Sequence, residues 1–314
     1  PESILCLLDG NKPQTLIYES TADPLFRDAL LSLIGESRKL ETENGVLSGT
    51  PGRFLPAVLA GSSSPLPSRF PDLEQSNNSF IYGDKLILKL YRKPEAGLNP
   101  DVELTRFLSE AAGFKYVPPF AGSIEFHPRG GGQSWSIALL QKLVPNRGDG
   151  WHWACDRIKN YYRRLLEGEN PREAIEPAFL DMIELLGKRT GQLHLALTSA
   201  LDDPELKPRP LTSGYTQSLF RSIRKISGRA LSALERKLNR LPSSLQDSAE
   251  RITDSGEKIL EIAARVTHRD FSAQIIRIHG DYHLGQLLLS ESGDDYVIID
   301  FEGEPARSLW ERRA

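Results

Sequence analysis

The chain has 314 residues, of which 39% are apolar and 26% charged, with a formal net charge of −3 at pH 7. This length fits one large domain or two to three small ones, with enough apolar material for a substantial core. There is no basic excess to suit nucleic acid or an anionic membrane surface, and no apolar run approaches a membrane span.

In chain order, residues 1 to 60 read as a small, separate α/β unit. Ile4–Leu8 and Thr15–Tyr18 are predicted strands, and Asp23-Pro24 caps a predicted helix from Leu25 to Ile34 with one apolar face. Gly61 to Pro67 is a linker or loop. Residues 61–145 are rich in predicted strands. Phe80–Tyr82 and Lys85–Tyr91 flank the two-residue turn Gly83-Asp84. Asn99-Pro100 opens a helix from Asp101 to Ala112, and Ser136–Leu140 is a strand that runs into Gln141–Pro145. Residues 146–314 are mostly helical. Trp151–Leu166 and Glu173–Leu197 come first, then a proline-rich break at Asp202–Pro210. Thr212–Asn239 and Ser243–Val266 read as two long antiparallel helices joined at Leu241-Pro242. Arg and Lys cluster from Arg221 to Arg240, but apolar residues and an acid interleave, which describes a solvated helix face. A last hairpin pairs Leu287–Ser290 with Tyr296–Ile299.

The chemistry concentrates around that hairpin. His279-Gly280-Asp281 precedes it, Gln286 enters it and Asp300-Phe301-Glu302 leaves it. An acid after His-Gly, an amide five residues later and a second acid after the next strand form the layout of a phosphotransferase site. Asp281 is placed to orient and deprotonate an acceptor hydroxyl. Gln286 and Asp300 offer the oxygen ligands that Mg2+ prefers, and a hairpin of this length brings its two ends together. His279 is expected to pack and hydrogen-bond the loop; His283 lines the site or faces solvent.

Such a site needs a phosphate-binding Lys on an earlier strand and a helical acid to hold it. Lys89 interrupts the apolar run Leu86–Tyr91, and Glu103 lies in the first turn of the next helix, where Asp101 and Glu110 compete for the role. The loop before Phe80, Glu74-Gln75-Ser76-Asn77-Asn78-Ser79, has no Walker or Gly-rich pattern. Its small polar residues, Ser76 and Asn77 among them, can cap phosphates through backbone N–H groups and hydroxyls. By their order in the chain, Gln141 to Leu143 stand where backbone groups would face an adenine.

These stretches resemble the aminoglycoside-phosphotransferase-like kinases and, within them, the bacterial maltokinases. The matching segments are Glu74–Asn77, Ile87–Leu90, Gly191–Ala196, His279–Gln286 and Asp300–Arg307, so the resemblance spans almost the whole chain. It implies an α+β, bilobal, protein-kinase-like fold with an N-terminal cap (1–60), a β-rich nucleotide lobe (61–145) and a helical catalytic lobe (146–314). It implies ATP and Mg2+ as cofactors and phosphorylation of maltose to maltose 1-phosphate. Asp281 would be the catalytic acid/base, Gln286 and Asp300 metal ligands, and Lys89 a phosphate ligand held by Glu103. Trehalose synthase would be a partner. Glu302 replaces the Gly of the protein-kinase Asp-Phe-Gly; it is a further metal or substrate group, or a loop acid paired with Arg307. Ser308 stands where the family is expected to carry Pro. Trp151, Trp153, Tyr282 and Trp310 are candidate sugar platforms. Two alternatives stand beside maltose phosphorylation: a related kinase with another acceptor (an aminoglycoside, choline or another sugar), and a non-catalytic kinase-like scaffold.

Cys6 and Cys155 lie far apart, and no CxxC or Cys/His cluster suggests zinc. A reducing, cytoplasmic location is expected, with no cationic-then-apolar leader at the start. Residue 1 is Pro and the single Met is Met182, so the sequence reads as a segment of a longer polypeptide that lacks helices after the metal loop.

Overall fold

The computed structural model describes residues 4–8, 15–61, 66–71, 77–267 and 272–313. It falls into two units, one of Pro1–Asp202 with Arg277–Ala314 and one of Asp203–Ile276.

The first unit opens with the antiparallel pair β1 (Ile4–Leu8) and β2 (Thr15–Tyr18). Helix α1 (Pro24–Gly35) follows; its first turn is closed by Asp23, whose carboxylate accepts from the Leu25 N–H at 2.9 Å. Next come β3 (Lys39–Glu41), β4 (Gly45–Pro51), α2 (Leu55–Ala60), β5 (Ser68–Arg69), β6 (Asn78–Tyr82) and β7 (Leu86–Leu90). Helix α3 (Pro100–Arg106) runs into a π-helical turn, Phe107–Ala111, and is followed by β8 (Phe120–Pro128) and β9 (Trp135–Lys142). Among the described residues these strands form one seven-stranded antiparallel sheet, in the order β3-β4-β8-β9-β7-β6-β5. Thus β3 and β4, from the stretch read as a separate N-terminal unit, are hydrogen-bonded into the main sheet.

Alternation along the strands sorts the residues onto two faces. One face packs Phe80, Tyr82, Leu86, Leu88, Ile124, Ala138 and Leu140 against Ile34 and Leu55 of α1 and α2. The other packs Tyr91, Phe120 and Leu139 against Val102 of α3. Lys89 lies between Leu88 and Leu90 on β7, so it faces away from the first core and toward α3. Its cross-strand partners are Ser79 and Leu139.

Downstream lie β10 (Asn146–Asp149), α4 (Gly150–Leu166) and α5 (Pro177–Thr198), which begins four residues later than its apolar pattern suggests. The second unit holds the pair β11 (Arg209–Pro210) and β12 (Gln274–Ile275), with α6 (Ser213–Lys237), α7 (Ser243–Asp254) and α8 (Gly256–Thr267). The second long helix expected from the sequence is two helices, because the chain breaks at Ser255 before Gly256. Helix α6 has no buried residue, in keeping with its mixed charge pattern.

Back in the first unit, β13 (Leu287–Ser290) pairs with both β10 and β14 (Tyr296–Ile298), and α9 (Leu309–Arg313) is the last described element. The hairpin is tied to α5. Arg189 donates two hydrogen bonds to Asp295, at 2.7 and 2.6 Å, and its guanidinium stacks on Tyr116 at 3.7 Å. Arg189→Ala is expected to cost about 2–3 kcal/mol in chemical denaturation, less than a fully buried pair because Asp295 keeps some solvent. A loss below about 0.5 kcal/mol would assign this clamp no structural weight.

Candidate active site

Lys89, Asp101, Asp300 and Glu302 converge in the first unit. The Lys89 Nζ lies 3.0 Å from Asp101 Oδ2 and 2.6 Å from Asp300 Oδ1, and it also pairs with Glu302 Oε1. Asp101 sits in the first turn of α3, where Asn99 caps the helix by accepting from the Asp101 N–H at 2.8 Å. At 1% exposure Asp101 is fully enclosed, and its second oxygen accepts from the Phe301 N–H at 3.0 Å. One carboxylate therefore holds both the strand lysine and the backbone of the Asp300-Phe301-Glu302 loop.

This corrects the expected partner of Lys89. Glu103 does not reach the lysine; it forms a buried ion pair with Arg277 at 3.1 Å. Glu302 is likewise not paired with Arg307: it takes Lys89 and a 2.8 Å hydrogen bond from the Asn77 amide. Asn77 reaches the site through that contact, and its own oxygen accepts from the Arg92 N–H at 3.3 Å. Ser76 lies outside the described residues. Gln286 donates to Asp300 Oδ2 at 3.0 Å, so the two expected metal ligands meet. Gln141 and Leu143 remain along and just past β9. The Leu143 N–H is bonded to Lys85 O at 2.9 Å and the Gln141 amide to Thr105 at 3.2 Å, which leaves the Leu143 N–H committed within the fold.

Asp281 is held through His279. The buried imidazole is 2.9 Å from the Ile299 carbonyl through Nε2 and 3.4 Å from the Asp281 N–H through Nδ1. A carbonyl only accepts, so Nε2 carries the proton and Nδ1 is free to accept. Gly280 permits the close approach of the two loops. Its φ is +85°, and a Cβ there would stand 3.0 Å from the Gly303 Cα. Asp300 itself takes a left-handed φ of +66°, an unusual conformation for a non-glycine residue. Of the candidate platforms, Trp151 is exposed, Trp153 stacks on Phe179, and the Tyr282 hydroxyl is 3.1 Å from that of Thr190. The Trp310 side chain lies outside the described residues.

The electrostatics follow from burial and crowding. Burial alone disfavours the Lys89 ammonium, but Asp101, Asp300 and Glu302 override it and push its pKa up. Burial raises the Asp300 carboxyl, and Lys89 more than offsets this and holds it below the ordinary value. For Glu302, burial and the neighbouring Asp101 outweigh Lys89, so its pKa is raised. One cation faces three carboxylates, whose oxygens lie within 4.8 Å of one another. The three carboxylates are an all-oxygen donor set with an excess of negative charge, which suits a hard divalent ion such as Mg2+, and the Gln286 amide beside them presents its nitrogen to Asp300.

Asp101 and Arg277 are the residues that motif reading did not place. Asp101 was legible only as one of three competing acids. Arg277 carried one signal, a charge inside the apolar run Ile275-Ile276-Arg277-Ile278.

No protein-family profile matches the chain. The glucosamine kinase of Streptacidiphilus jiangxiensis is 26% identical over 245 residues, covering 77% of this chain and 49% of that protein. A crystal form of a glucosamine kinase superposes over 98% of this chain and 61% of its own, with a TM-score of 0.63 and 20% identity. A glucosamine kinase in complex with glucosamine, ADP and inorganic phosphate superposes over 88% of this chain with a TM-score of 0.57 and 21% identity. The chain thus shares the fold of those enzymes and spans about half the length of the curated relative.

These relatives overturn the narrower resemblance to maltokinases, and with it maltose as the acceptor. The short motifs that suggested it, around His279–Gln286 and Asp300–Arg307, are therefore no guide to the acceptor. The expected trehalose synthase partner rested on the same resemblance and loses its support. Among the described residues, no helix is long and apolar enough to cross a membrane.

The buried His279 generates a pH prediction. Burial holds its pKa below the ordinary 6.5, with the Ile299 carbonyl and nearby carboxylates only partly offsetting. Below 6.5 the unfolded chain therefore binds this proton more readily than the folded one. The contribution is complete above that value and is lost as pH falls through the folded pKa. The denaturation midpoint should drop between about pH 7 and about pH 5, and His279→Gln should flatten that part of the slope. An unchanged slope in the variant would remove His279 as its source.

Proposed function

We propose that the chain carries the nucleotide-binding and catalytic parts of an ATP-dependent small-molecule kinase whose acceptor is an amino sugar of the glucosamine class. The observation that carries this reading is the convergence of Lys89, Asp300 and Gln286 beside the His279-Gly280-Asp281 loop. The acceptor class rests on the names of the relatives, which are glucosamine kinases. In this reading the fold is bilobal and kinase-like, with a cap (1–60) whose β3 and β4 extend the sheet of the nucleotide lobe (61–145), and a helical lobe (146–314), and the reaction belongs in the cytoplasm.

Each residue then has a task. Asp281 orients the acceptor hydroxyl and takes its proton as the new O–P bond forms and the bond from the γ-phosphorus to ADP breaks. Lys89 binds phosphate oxygens once it exchanges part of its carboxylate shell for them. Asp101 keeps it in place from behind. Asn77, just before β6, caps the same region. Asp300, Gln286 with its amide turned to present oxygen, and Glu302 would hold Mg2+. The ion supplies charge neutralisation of the phosphates.

The test is ADP release by the complete polypeptide with MgATP, comparing glucosamine, glucose, maltose and kanamycin. Glucosamine-dependent turnover is expected, falling at least about 100-fold in Asp281→Asn. Turnover with another acceptor and none with glucosamine would keep the transfer and discard the amino sugar. Silence with all four, together with no nucleotide binding, would discard the kinase reading.

A further inference from the structure

The first turn of α3 carries two acids with different partners. Asp101 and Glu103 are two residues apart, so their side chains leave the helix about 200° apart. Asp101 faces Lys89 and the Phe301 amide. Glu103 faces Arg277, which begins the segment Arg277-Ile278-His279-Gly280-Asp281. Both members of the second pair are enclosed, at 7% exposure for Glu103 and 6% for Arg277.

We infer that Glu103 and Arg277 form a positioning pair that sets the Asp281 loop relative to the nucleotide residues. The inference rests on the kinase reading and extends it. Neither residue touches a reacting group. Both act through His279, two residues beyond Arg277, whose Nδ1 accepts from the Asp281 N–H. A buried ion pair is a poor source of stability compared with apolar packing of the same volume, but removing one partner leaves the other charge buried and uncompensated, so the two groups are held together. It fixes the separation of two elements that no strand ladder joins, here a helix N-terminus and the entry to a loop. The same helix fixes Lys89 and the Asp300 loop by its other acid. The three parts of the site are therefore indexed to one turn of helix. The register is sensitive, since a misplacement of about 1 Å at a reacting group can cost about 100-fold in rate.

Glu103→Gln keeps the shape and removes the charge; Arg277→Lys keeps the charge and changes the shape and reach of the cation. Both are compared with the unmodified complete polypeptide by amide hydrogen exchange and by steady-state kinetics. Exchange should rise across 278–283 in Glu103→Gln and stay unchanged at 86–90. The value of kcat should fall about 10- to 100-fold with KM for ATP within about twofold, because the Lys89–Asp101 contact is intact. Arg277→Lys should lie between. Unchanged exchange across 278–283, or a loss that falls in KM for ATP, would overturn the inference. If the unmodified protein transfers no phosphate to any acceptor, the kinase reading fails. The exchange data then decide the positioning role by themselves.

Discussion

The site depends on one buried ammonium among three carboxylates. Lys89 belongs to a β-strand, Asp101 to a helix twelve residues on, and Asp300 to a loop 211 residues away. None of these charges is stable alone in so enclosed a place, because burial penalises each charged form. Together they are stable, and the requirement that they meet links β7, α3 and the loop after β14. Asp101 enforces this most directly, since one carboxylate accepts from both the lysine and the Phe301 backbone.

The arrangement is also incomplete in charge. Lys89 offsets only part of the negative charge around it, and burial together with the neighbouring Asp101 raises the pKa of Glu302. A centre of this kind favours further positive charge beside the carboxylates. The Asp300 backbone has a left-handed φ that only its surroundings hold in place. The approach of Gly280 to Gly303 brings the Asp281 loop beside it. The sheet, helix α3 and the hairpin clamped by Arg189 supply the rigid frame.

Residues whose identity and spacing both matter were legible in the sequence. A lysine inside an apolar strand, an acid after His-Gly and an acid after a short hairpin each break a local pattern, so Lys89, Asp281 and Asp300 stood out. The hairpin's length sufficed to predict that Gln286 would meet Asp300. The choice between Asp101 and Glu103 was not legible, because both lie in one helical turn and only the direction of each side chain separates them. Arg277 was hidden for a related reason, since its partner is a tertiary one. The helix break at Ser255 had a weak signal in Gly256 that apolar periodicity outweighed. The acceptor was misread from the short motifs. They are shared by the kinase reading whatever its acceptor, so they did not separate one sugar from another.

The most direct test of the account is metal-dependent nucleotide binding at the Lys89 centre, read by electron paramagnetic resonance with Mn2+ in place of Mg2+. The complete polypeptide should bind Mn2+ with ADP, and the Mn2+ signal of the bound complex should be lost in Asp300→Asn while the fold persists. ADP binding that is equally tight without metal and unaffected by Asp300→Asn would contradict the account and place the nucleotide elsewhere.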